Sequence, residues 1–183
     1  MKKFALDQND VVMVVIDLQD KLMKAMKDRE KVYKNTRLLL ATANEMNIPV
    51  VVTEQYPRGL GATVPEIKEK LKEFEYIEKT SFSACGAKLM DYLKLSGRKT
   101  VIMTGSETHI CVFQTVRDLA QAGYNVHVVR DAVCSRFDEN YENGLELMKD
   151  AGAVITTAET VVFDLLDRKS TRLNSSHLGI SYA

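Results

Sequence analysis

The run DVVMVVI at residues 10–16 is a nearly continuous stretch of β-branched and other apolar side chains. A strand that is buried on both faces of a parallel sheet has this pattern, because neither of its faces meets water. The run therefore predicts a central sheet strand. Asp17 follows the run directly, which places an acidic side chain at the end of that strand.

Similar apolar runs recur along the chain and alternate with segments of helical periodicity. The runs lie at residues 49–53, 100–104, 125–130 and 153–156, with a weaker candidate at 75–77. Helical spacing of apolar residues is found at Leu39, Ala43 and Met46, at Val112, Val116, Leu119 and Ala120, and at Tyr141, Leu145 and Met148. Gly123 and Gly152 follow two of these sets, where a left-handed residue commonly ends a helix.

The alternation of strands and helices predicts the fold class. Strands that alternate with helices pair in parallel through right-handed crossovers, and the helices cover both faces of the sheet. We therefore expect a three-layer, doubly wound (Rossmann-like) α/β fold with about six parallel strands. In such folds, functional side chains gather at the carboxyl ends of the strands.

The composition is that of an ordinary globular protein, with 45% hydrophobic and 27% charged residues among 183. The 25 basic residues balance the 25 acidic ones, which argues against nucleic acid or an anionic membrane as a partner. No apolar run approaches the roughly 20 residues that span a bilayer, and charge appears before any signal-like stretch. We therefore expect a cytoplasmic protein whose partner is a small molecule.

The C-terminal segment at residues 169–183, KSTRLNSSHLGISYA, differs in composition from the rest of the chain. Four of its fifteen residues are serine, against five serines in the preceding 168. The segment resembles text appended to unrelated translated sequences by read-through of a sequencing adaptor. We therefore assign residues 1–168 to one domain and leave the tail, with His177, out of the functional argument.

Three polar residues near predicted strand ends can carry chemistry. Asp17 follows the first strand, although a helix cap or loop carboxylate fits it too. Lys79 follows the candidate strand at 75–77, and by itself it fits a solvated surface lysine. Cys111 lies near the start of a helix, where the helix dipole favours a thiolate, but a small buried hydrophobe is the alternative, as it is for Cys85 and Cys134.

The three widely spaced cysteines favour neither a disulfide framework nor a CxxC metal site. Together, an acid, a cation and a thiol at neighbouring strand ends suit nucleophilic catalysis.

These residues lie in segments that resemble the isochorismatase-like cysteine hydrolases, a family that includes nicotinamidases and N-carbamoylsarcosine amidohydrolases. The resemblance covers residues 6–166. Its segments are VIDLQ at 15–19, EKTSFS at 78–83, GSETHICV at 105–112 and DAVCSR at 131–136. Within the family, TEQYPRGLG at 53–61 and GAVITT at 152–157 are most similar to the group known as isochorismatase domain-containing proteins.

The resemblance implies a cysteine-dependent amidohydrolase that cleaves a small amide-like C–N bond through a thioester intermediate. It makes Cys111 the nucleophile, Asp17 the general base, and Lys79 the residue that stabilises the thiolate. It also implies a cis peptide bond between Ser106 and Glu107, and an oxyanion hole formed by the backbone N–H groups of Glu107 and Cys111. Family members commonly form dimers or larger assemblies, which implies a homo-oligomer.

Two departures from relatives narrow the expected chemistry. Nicotinamidases hold a metal with an Asp and several His after the second strand, whereas this chain has Thr53, Glu54, Gln55 and Tyr56 there. We therefore expect no bound metal and no cofactor. True isochorismatases cleave a vinyl ether and lack the nucleophilic cysteine, so the presence of Cys111 favours amide-type hydrolysis.

Four further residues flank the catalytic candidates or the loop after the second strand. We expect Gln19, Tyr56, Phe82 and His109 to line the substrate pocket, with ordinary loop packing as the alternative for each. A helix cap fits His109 equally well. His127 alternates with apolar residues inside a predicted strand, and we expect it to be a satisfied core or edge histidine.

Two other functions fit the same residues. The first is a non-catalytic small-molecule-binding or scaffold protein on the same fold. The second is a redox-sensing thiol protein, because a Cys111 with a low pKa would also react with peroxide.

Overall fold

Six parallel strands alternate with helices along residues 2–169, the part of the chain that this computed structural model describes. The strands are β1 (Val11–Ile16), β2 (Val50–Gln55), β3 (Glu75–Lys79), β4 (Thr100–Ser106), β5 (Asn125–Cys134) and β6 (Val154–Thr156). The helices are α1 (Asp20–Lys24), α2 (Arg29–Met46), α3 (Pro57–Leu60), α4 (Pro65–Lys68), α5 (Ala87–Ser96), α6 (Phe113–Gln121), α7 (Asp138–Asp150) and α8 (Ala158–Lys169). A 3₁₀ turn spans Lys2–Phe4, and a π-helical turn, Thr108–Val112, leads into α6.

The strand order across the sheet is β3-β2-β1-β4-β5-β6. The chain therefore builds one half of the sheet outward from β1, returns, and builds the other half outward from β4. The switch point lies between β1 and β4, and a crevice opens there at the carboxyl ends of the strands. The doubly wound α/β fold expected from the sequence is confirmed, including its number of strands.

The side chains of β1 alternate between two separate apolar cores. Val11, Met13 and Val15 pack with residues of α2, α4 and α8 on one face of the sheet. Val12, Val14 and Ile16 pack with residues of α5, α6 and α7 on the other. This explains the run at residues 10–16, because a strand covered by helices on both faces has no position for a polar side chain.

The helices α5 and α8 were not among the predicted elements, and the short α1, α3 and α4 were not either. Each of the short helices has four or five residues, so it offers too little periodicity to be recognised. The helix α8 ends at Lys169, the first residue of the predicted tail. Residues 170–183 lie outside the described residues, so the nature of the tail stays a prediction.

Gly105 lets β4 lie close to β1 at the switch point. It pairs with Ile16, has a φ of +130°, and a Cβ at this position would lie 2.1 Å from the Ile16 carbonyl oxygen. Only glycine fits both the backbone conformation and the space. The close approach brings the residues after β1 next to those after β4.

Candidate active site

Asp17 is held at the end of β1 by contacts from two neighbouring strands. Its Oδ1 accepts a 2.7 Å hydrogen bond from the Thr53 hydroxyl, and its carbonyl oxygen accepts one of 3.0 Å from the Ser106 hydroxyl. The residue is fully buried and has a φ of +47°, which is uncommon for a residue with a side chain. These hydrogen bonds fix the carboxylate at the switch point, and they hold the Asp17 backbone in a conformation that a residue with a side chain rarely adopts.

Lys79, the last residue of β3, forms a buried ion pair with Asp17. Its Nζ lies 2.6 Å from Asp17 Oδ2, and the two side chains are 5% and 1% exposed. The same ammonium donates to Gln55 Oε1 at 2.8 Å and to the carbonyl oxygens of Ser81 and Phe82 at 3.1 and 3.0 Å. Four oxygen atoms therefore surround the cation, which offsets the cost of burying its charge.

Cys111 completes the group from the other side of the switch point. It lies in the π-helical turn before α6, it is 7% exposed, and its Sγ lies 3.4 Å from Gln55 Oε1. Its carbonyl oxygen accepts a 2.6 Å hydrogen bond from the Thr115 hydroxyl, which also accepts one from the Ala84 backbone. The structure thus brings Asp17, Lys79 and Cys111 together.

The expectation that the helix dipole lowers the pKa of Cys111 is wrong for the resting site. Burial, and then the negative charge of Asp17, raise the pKa of the Cys111 thiol to about 12, although Lys79 and a backbone hydrogen bond from Glu107 act in the opposite direction. The removal of water around the sulfur outweighs the partial charges of one helix end. Cys111 therefore rests as a neutral thiol.

Burial also raises the pKa of Asp17, while the charge of Lys79 and hydrogen bonds from Lys79, Thr53 and Cys111 lower it. A carboxylate that is destabilised by burial is a better proton acceptor than one in water. The raised pKa of the Cys111 thiol does not favour the redox-sensing alternative, because a redox-sensing cysteine reacts as a thiolate.

The peptide bond between Ser106 and Glu107 is cis. The Glu107 carboxylate is buried and accepts hydrogen bonds from the backbone nitrogen of Arg136 at 3.1 Å and from its Nε at 3.2 Å. The Glu107 segment is therefore held in place by Arg136, which lies in the loop after β5.

Gln19 does not line an open pocket, so that expectation is corrected. The residue is fully buried, and its Nε2 donates to the carbonyl oxygens of Gln55 and Gly61 at 3.1 and 2.6 Å. Its Oε1 accepts a 2.7 Å hydrogen bond from the Gln55 backbone nitrogen. Both amide hydrogens are used, so Gln19 clamps the loop after β2 instead of facing a ligand.

The other three predicted pocket residues are more open. Tyr56 is 59% exposed with a φ of +41°, and Phe82 is 52% exposed beside the carbonyl that Lys79 contacts. His109 is half-buried, and its Nδ1 lies 2.9 Å from the Ser135 hydroxyl. Their role at a substrate stays a prediction.

Thr53 and Gln55 were not predicted as site residues, although both belong to a segment that the sequence singled out. Thr53 contacts Asp17, and Gln55 contacts both Lys79 and Cys111. The available signal was their position at the carboxyl end of a buried strand, where functional groups gather.

No group of three or more His, Cys, Asp or Glu side chains within residues 2–169 is arranged to hold a metal ion. Glu54, in the segment where nicotinamidases have metal ligands, is buried, and its carboxylate accepts hydrogen bonds from the Thr63 backbone and hydroxyl and from the Tyr76 hydroxyl.

A groove of about 910 Å³ lies away from the triad, along β6. His127 borders that groove from β5 and is buried, with its Nε2 3.0 Å from the Lys3 carbonyl oxygen.

Comparison with known proteins gives the family of this site and fold. The model of the isochorismatase domain matches residues 11–160. Isochorismatase family protein 1A of Dictyostelium discoideum is 34% identical over 165 residues, which cover 87% of this chain and 80% of that protein. The chain therefore belongs to the isochorismatase-like hydrolase family, as the sequence predicted.

Two solved structures illustrate the range within this fold. The MAR1 ribonuclease of Caenorhabditis elegans is 40% identical with a TM-score of 0.86, and the match covers 89% of this chain and 84% of that one. The YcaC gene product of Escherichia coli, described as an octameric hydrolase of unknown specificity, is 26% identical with a TM-score of 0.85, and the match covers 91% and 85% of the two chains. No helix within residues 2–169 is both long and apolar enough to cross a bilayer.

Proposed function

We propose that this protein hydrolyses a small amide-like C–N bond by covalent catalysis through Cys111. The supporting observation is the convergence of Asp17, Lys79 and Cys111 at the switch point of the sheet, where they form one connected group. An acid, a cation and a thiol that are connected in this way meet the requirements of an activated nucleophile.

The first step transfers the thiol proton of Cys111 to the Asp17 carboxylate as Sγ attacks the substrate carbonyl carbon. The raised pKa of Asp17 favours this acceptance, and the Lys79 charge stabilises the negative charge that remains in the group. The carbonyl oxygen becomes an oxyanion that the backbone N–H groups of Glu107 and Cys111 stabilise. Loss of one such donor typically costs about 2.7–4 kcal/mol of barrier.

In the second step the C–N bond breaks and the nitrogen leaves with the proton that Asp17 received. This produces a thioester between Cys111 and the acyl group, and Asp17 is again ionised. Asp17 then takes a proton from a water molecule, which attacks the thioester. The acid product is released, and Sγ recovers its proton from Asp17.

The burial of the triad favours a small substrate. Asp17 is fully buried, and Lys79 and Cys111 are each 7% exposed, so only a narrow group can reach the sulfur. The exposed aromatic rings of Tyr56 and Phe82 offer apolar surface outside this centre, where a planar ligand would stack.

A panel of small primary and secondary amides tests the proposal. We expect one class to be hydrolysed, and intact-protein mass spectrometry of a quenched reaction should detect an acyl adduct on Cys111. Cys111→Ala should lower kcat by about four orders of magnitude, and Asp17→Asn by a similar factor, because nucleophile and base act as a unit. Cys85→Ala, which changes a half-buried cysteine outside the triad, is the matched control.

Two results would decide against hydrolysis through Cys111. A turnover rate that is unchanged in Cys111→Ala would refute the nucleophile assignment. Saturable binding of an amide without an acyl adduct, across the panel, would favour the binding-protein alternative. Because a 40% identical relative is described as a ribonuclease, a structured and a single-stranded RNA belong in the panel. We expect neither to be cleaved, since basic and acidic residues balance.

A homo-oligomer and a cytoplasmic location are part of the same proposal. The relative from Escherichia coli is described as octameric, which is consistent with a homo-oligomer here. Light scattering during size-exclusion chromatography tests the assembly, and a monomer at micromolar concentration would contradict it. Fractionation of the source cells tests the location, which matters because one relative at 37% identity, from Phytophthora sojae, is described as a secreted effector.

A further inference from the structure

The amide oxygen of Gln55 is shared by two members of the triad. Gln55 Oε1 accepts a 2.8 Å hydrogen bond from Lys79 Nζ and a 3.4 Å hydrogen bond from Cys111 Sγ. The orientation of this amide is fixed by chemistry, because an ammonium group has donors and no acceptor. Turning the amide over would place its NH₂ group against the Lys79 ammonium, so the oxygen must face the triad.

The backbone of the loop that carries Gln55 is held by hydrogen bonds that do not involve the Gln55 side chain. The backbone of Gln55 is clamped by Gln19, which donates to its carbonyl oxygen at 3.1 Å and accepts from its nitrogen at 2.7 Å. The main-chain nitrogen of the next residue, Tyr56, donates to the Lys79 carbonyl oxygen at 3.2 Å. A substitution of the Gln55 side chain therefore leaves the backbone anchors of the loop in place.

The thiol of Cys111 has a single proton, and its hydrogen bond is to Gln55. Gln55 Oε1 accepts this bond at 3.4 Å, while the Asp17 carboxylate is close enough for its negative charge to raise the pKa of the thiol. One S–H cannot donate to both oxygens in good geometry. When it donates to Gln55 it is not aligned for transfer to Asp17, and the carbonyl oxygen of the amide, which carries partial negative charge, opposes an anion on the sulfur.

We propose that Gln55 is a positioning residue that keeps Cys111 as a neutral, unreactive thiol until a substrate enters. The inference rests on the proposed function, because it assigns Cys111 as the nucleophile. Gln55 stabilises the S–H form by accepting a hydrogen bond from it, and its Oε1 also accepts a hydrogen bond from the Lys79 ammonium. A substrate amide that offers its N–H to Gln55 Oε1 replaces the thiol as donor, and the S–H then turns to Asp17.

The charged groups around Cys111 are the same whether or not Gln55 is present. The charges that act on its thiol are those of Asp17, which follows β1, and of Lys79, the last residue of β3, and a Gln55 substitution changes neither residue. On its own side, the Glu107 carboxylate is held by Arg136, and His109 is hydrogen-bonded to Ser135. A change in thiol reactivity in a Gln55 variant is therefore assigned to the lost acceptor.

The test measures alkylation of each cysteine in the full chain without any substrate. Gln55→Leu and Gln55→Met remove the acceptor and keep similar volume, so one serves if the other folds poorly. The control is Gln121→Leu, the same change at an exposed position at the end of α6. Rates for Cys111 and for the half-buried Cys85 are followed by peptide mass spectrometry with iodoacetamide between pH 6.5 and 9, and again with a bulky maleimide.

We expect the Cys111 rate to rise about five- to tenfold at each pH in both Gln55 variants, since about one pKa unit corresponds to a tenfold change in thiolate. The Cys85 rate, and the ratio of bulky to small reagent at Cys111, should not change. An unchanged or slower Cys111 rate overturns the inference. So does a larger gain for the bulky reagent, which would indicate an opened site, or an equal rise at Cys85, which would indicate a loosened fold.

A Lys79→Ala arm in the same assay separates this inference from the proposed function. Loss of the cation should slow Cys111 alkylation, because Lys79 lowers the pKa of the thiol. If Lys79→Ala slows Cys111 and the Gln55 variants do not change it, only the role of Gln55 fails. If Lys79→Ala has no effect on Cys111, the triad itself fails.

Discussion

At the scale of single residues, the site is a cluster of buried polar groups around one ammonium. Lys79 contacts the Asp17 carboxylate, the Gln55 amide and two carbonyl oxygens. Removing one member of such a cluster leaves its partners buried without compensation, which typically costs about 3–5 kcal/mol for an ion pair. The cluster therefore holds the nucleophile and the base together at the expense of tolerance to substitution.

Thr53 tunes the base, and the consequence is measurable without a substrate. Thr53→Val removes the 2.7 Å hydrogen bond that Asp17 Oδ1 accepts from the Thr53 hydroxyl. Because that hydrogen bond lowers the pKa of the Asp17 carboxyl, the pKa should rise in the variant. A ¹³C-detected NMR titration of the carboxyl group measures it. The base must be ionised to accept the thiol proton, so the acid limb of the turnover profile should move to higher pH.

Thr104→Val is the matched control for this substitution. Thr104 is also buried in the sheet, but its hydroxyl has no hydrogen-bond partner within the described part of the chain. The pKa of Asp17 should not change in this variant. An equal shift in both variants would mean that the effect comes from a general change in the sheet, and not from the hydrogen bond.

At the scale of elements, two glycines allow the strands and helices to approach closely enough to form the site. Gly144 on α7 lies against the π-helical turn that carries the nucleophile, and a Cβ there would be 3.0 Å from backbone atoms of Thr108 and His109. Gly105 lies against the carbonyl of Ile16. The location of the turn that carries Cys111 is thus set by close contacts on both of its flanks.

Gly105→Ala should destabilise the protein much more than a glycine substitution at a helix end. A Cβ at Gly105 would meet backbone atoms of Ile16 at 2.1–2.7 Å, so β4 would have to move away from β1. We expect a loss of more than about 3 kcal/mol in the free energy of unfolding, measured by urea denaturation.

Gly97→Ala supplies the comparison for this prediction. Gly97 follows α5 with a φ of +68°, and a Cβ at this position would have no atom within 4 Å. Only the left-handed backbone conformation should therefore destabilise this variant, and we expect the free energy of unfolding to fall by about 1–2 kcal/mol. Equal losses at the two positions would show that the contact with Ile16 is not the cause.

At the scale of the whole molecule, the burial of thiols predicts how stability depends on alkaline pH. Burial raises the pKa of Cys134 to about 12, as it does for Cys111, from an ordinary value of 9.0. Above pH 9 the unfolded chain loses these protons while the folded protein keeps them. Stability therefore falls as pH rises, by about 1 kcal/mol per pH unit for each thiol between pH 9.5 and 11.

Urea denaturation at pH 8.5, 9.5 and 10.5 measures this dependence. Cys134→Ala should lower the free energy of unfolding by a constant amount for the lost packing, and it should also lose one thiol's share of the slope. A slope identical to that of the parent chain would show that Cys134 does not keep its proton in the folded state. Tyr33 and Tyr76, whose pKa values are raised to about 12, and Cys85, whose pKa is raised to about 11, contribute to the slope of the parent chain and of the variant alike.

The sequence by itself determined the alternation of strands and helices, the parallel sheet, and the three residues at its carboxyl edge. These follow from local patterns, since the apolar run at residues 10–16 predicts the burial of β1 on both faces, and Asp17 follows the strand directly. The family was also recognisable from short segments around Asp17, Lys79 and Cys111, and the isochorismatase domain match confirmed it.

Only the tertiary structure decided the state and the partners of those residues. The pKa of Cys111 is raised, and not lowered, because it depends on how much water the fold removes around the sulfur. The sequence did not predict that Gln55 and Thr53 contact the triad, or that Gln19 is buried away from the pocket. These contacts depend on distances between segments that are far apart in the chain. A sequence pattern specifies which face of an element is buried, but hydrogen bonds across the sheet are set by the packing of all the elements together.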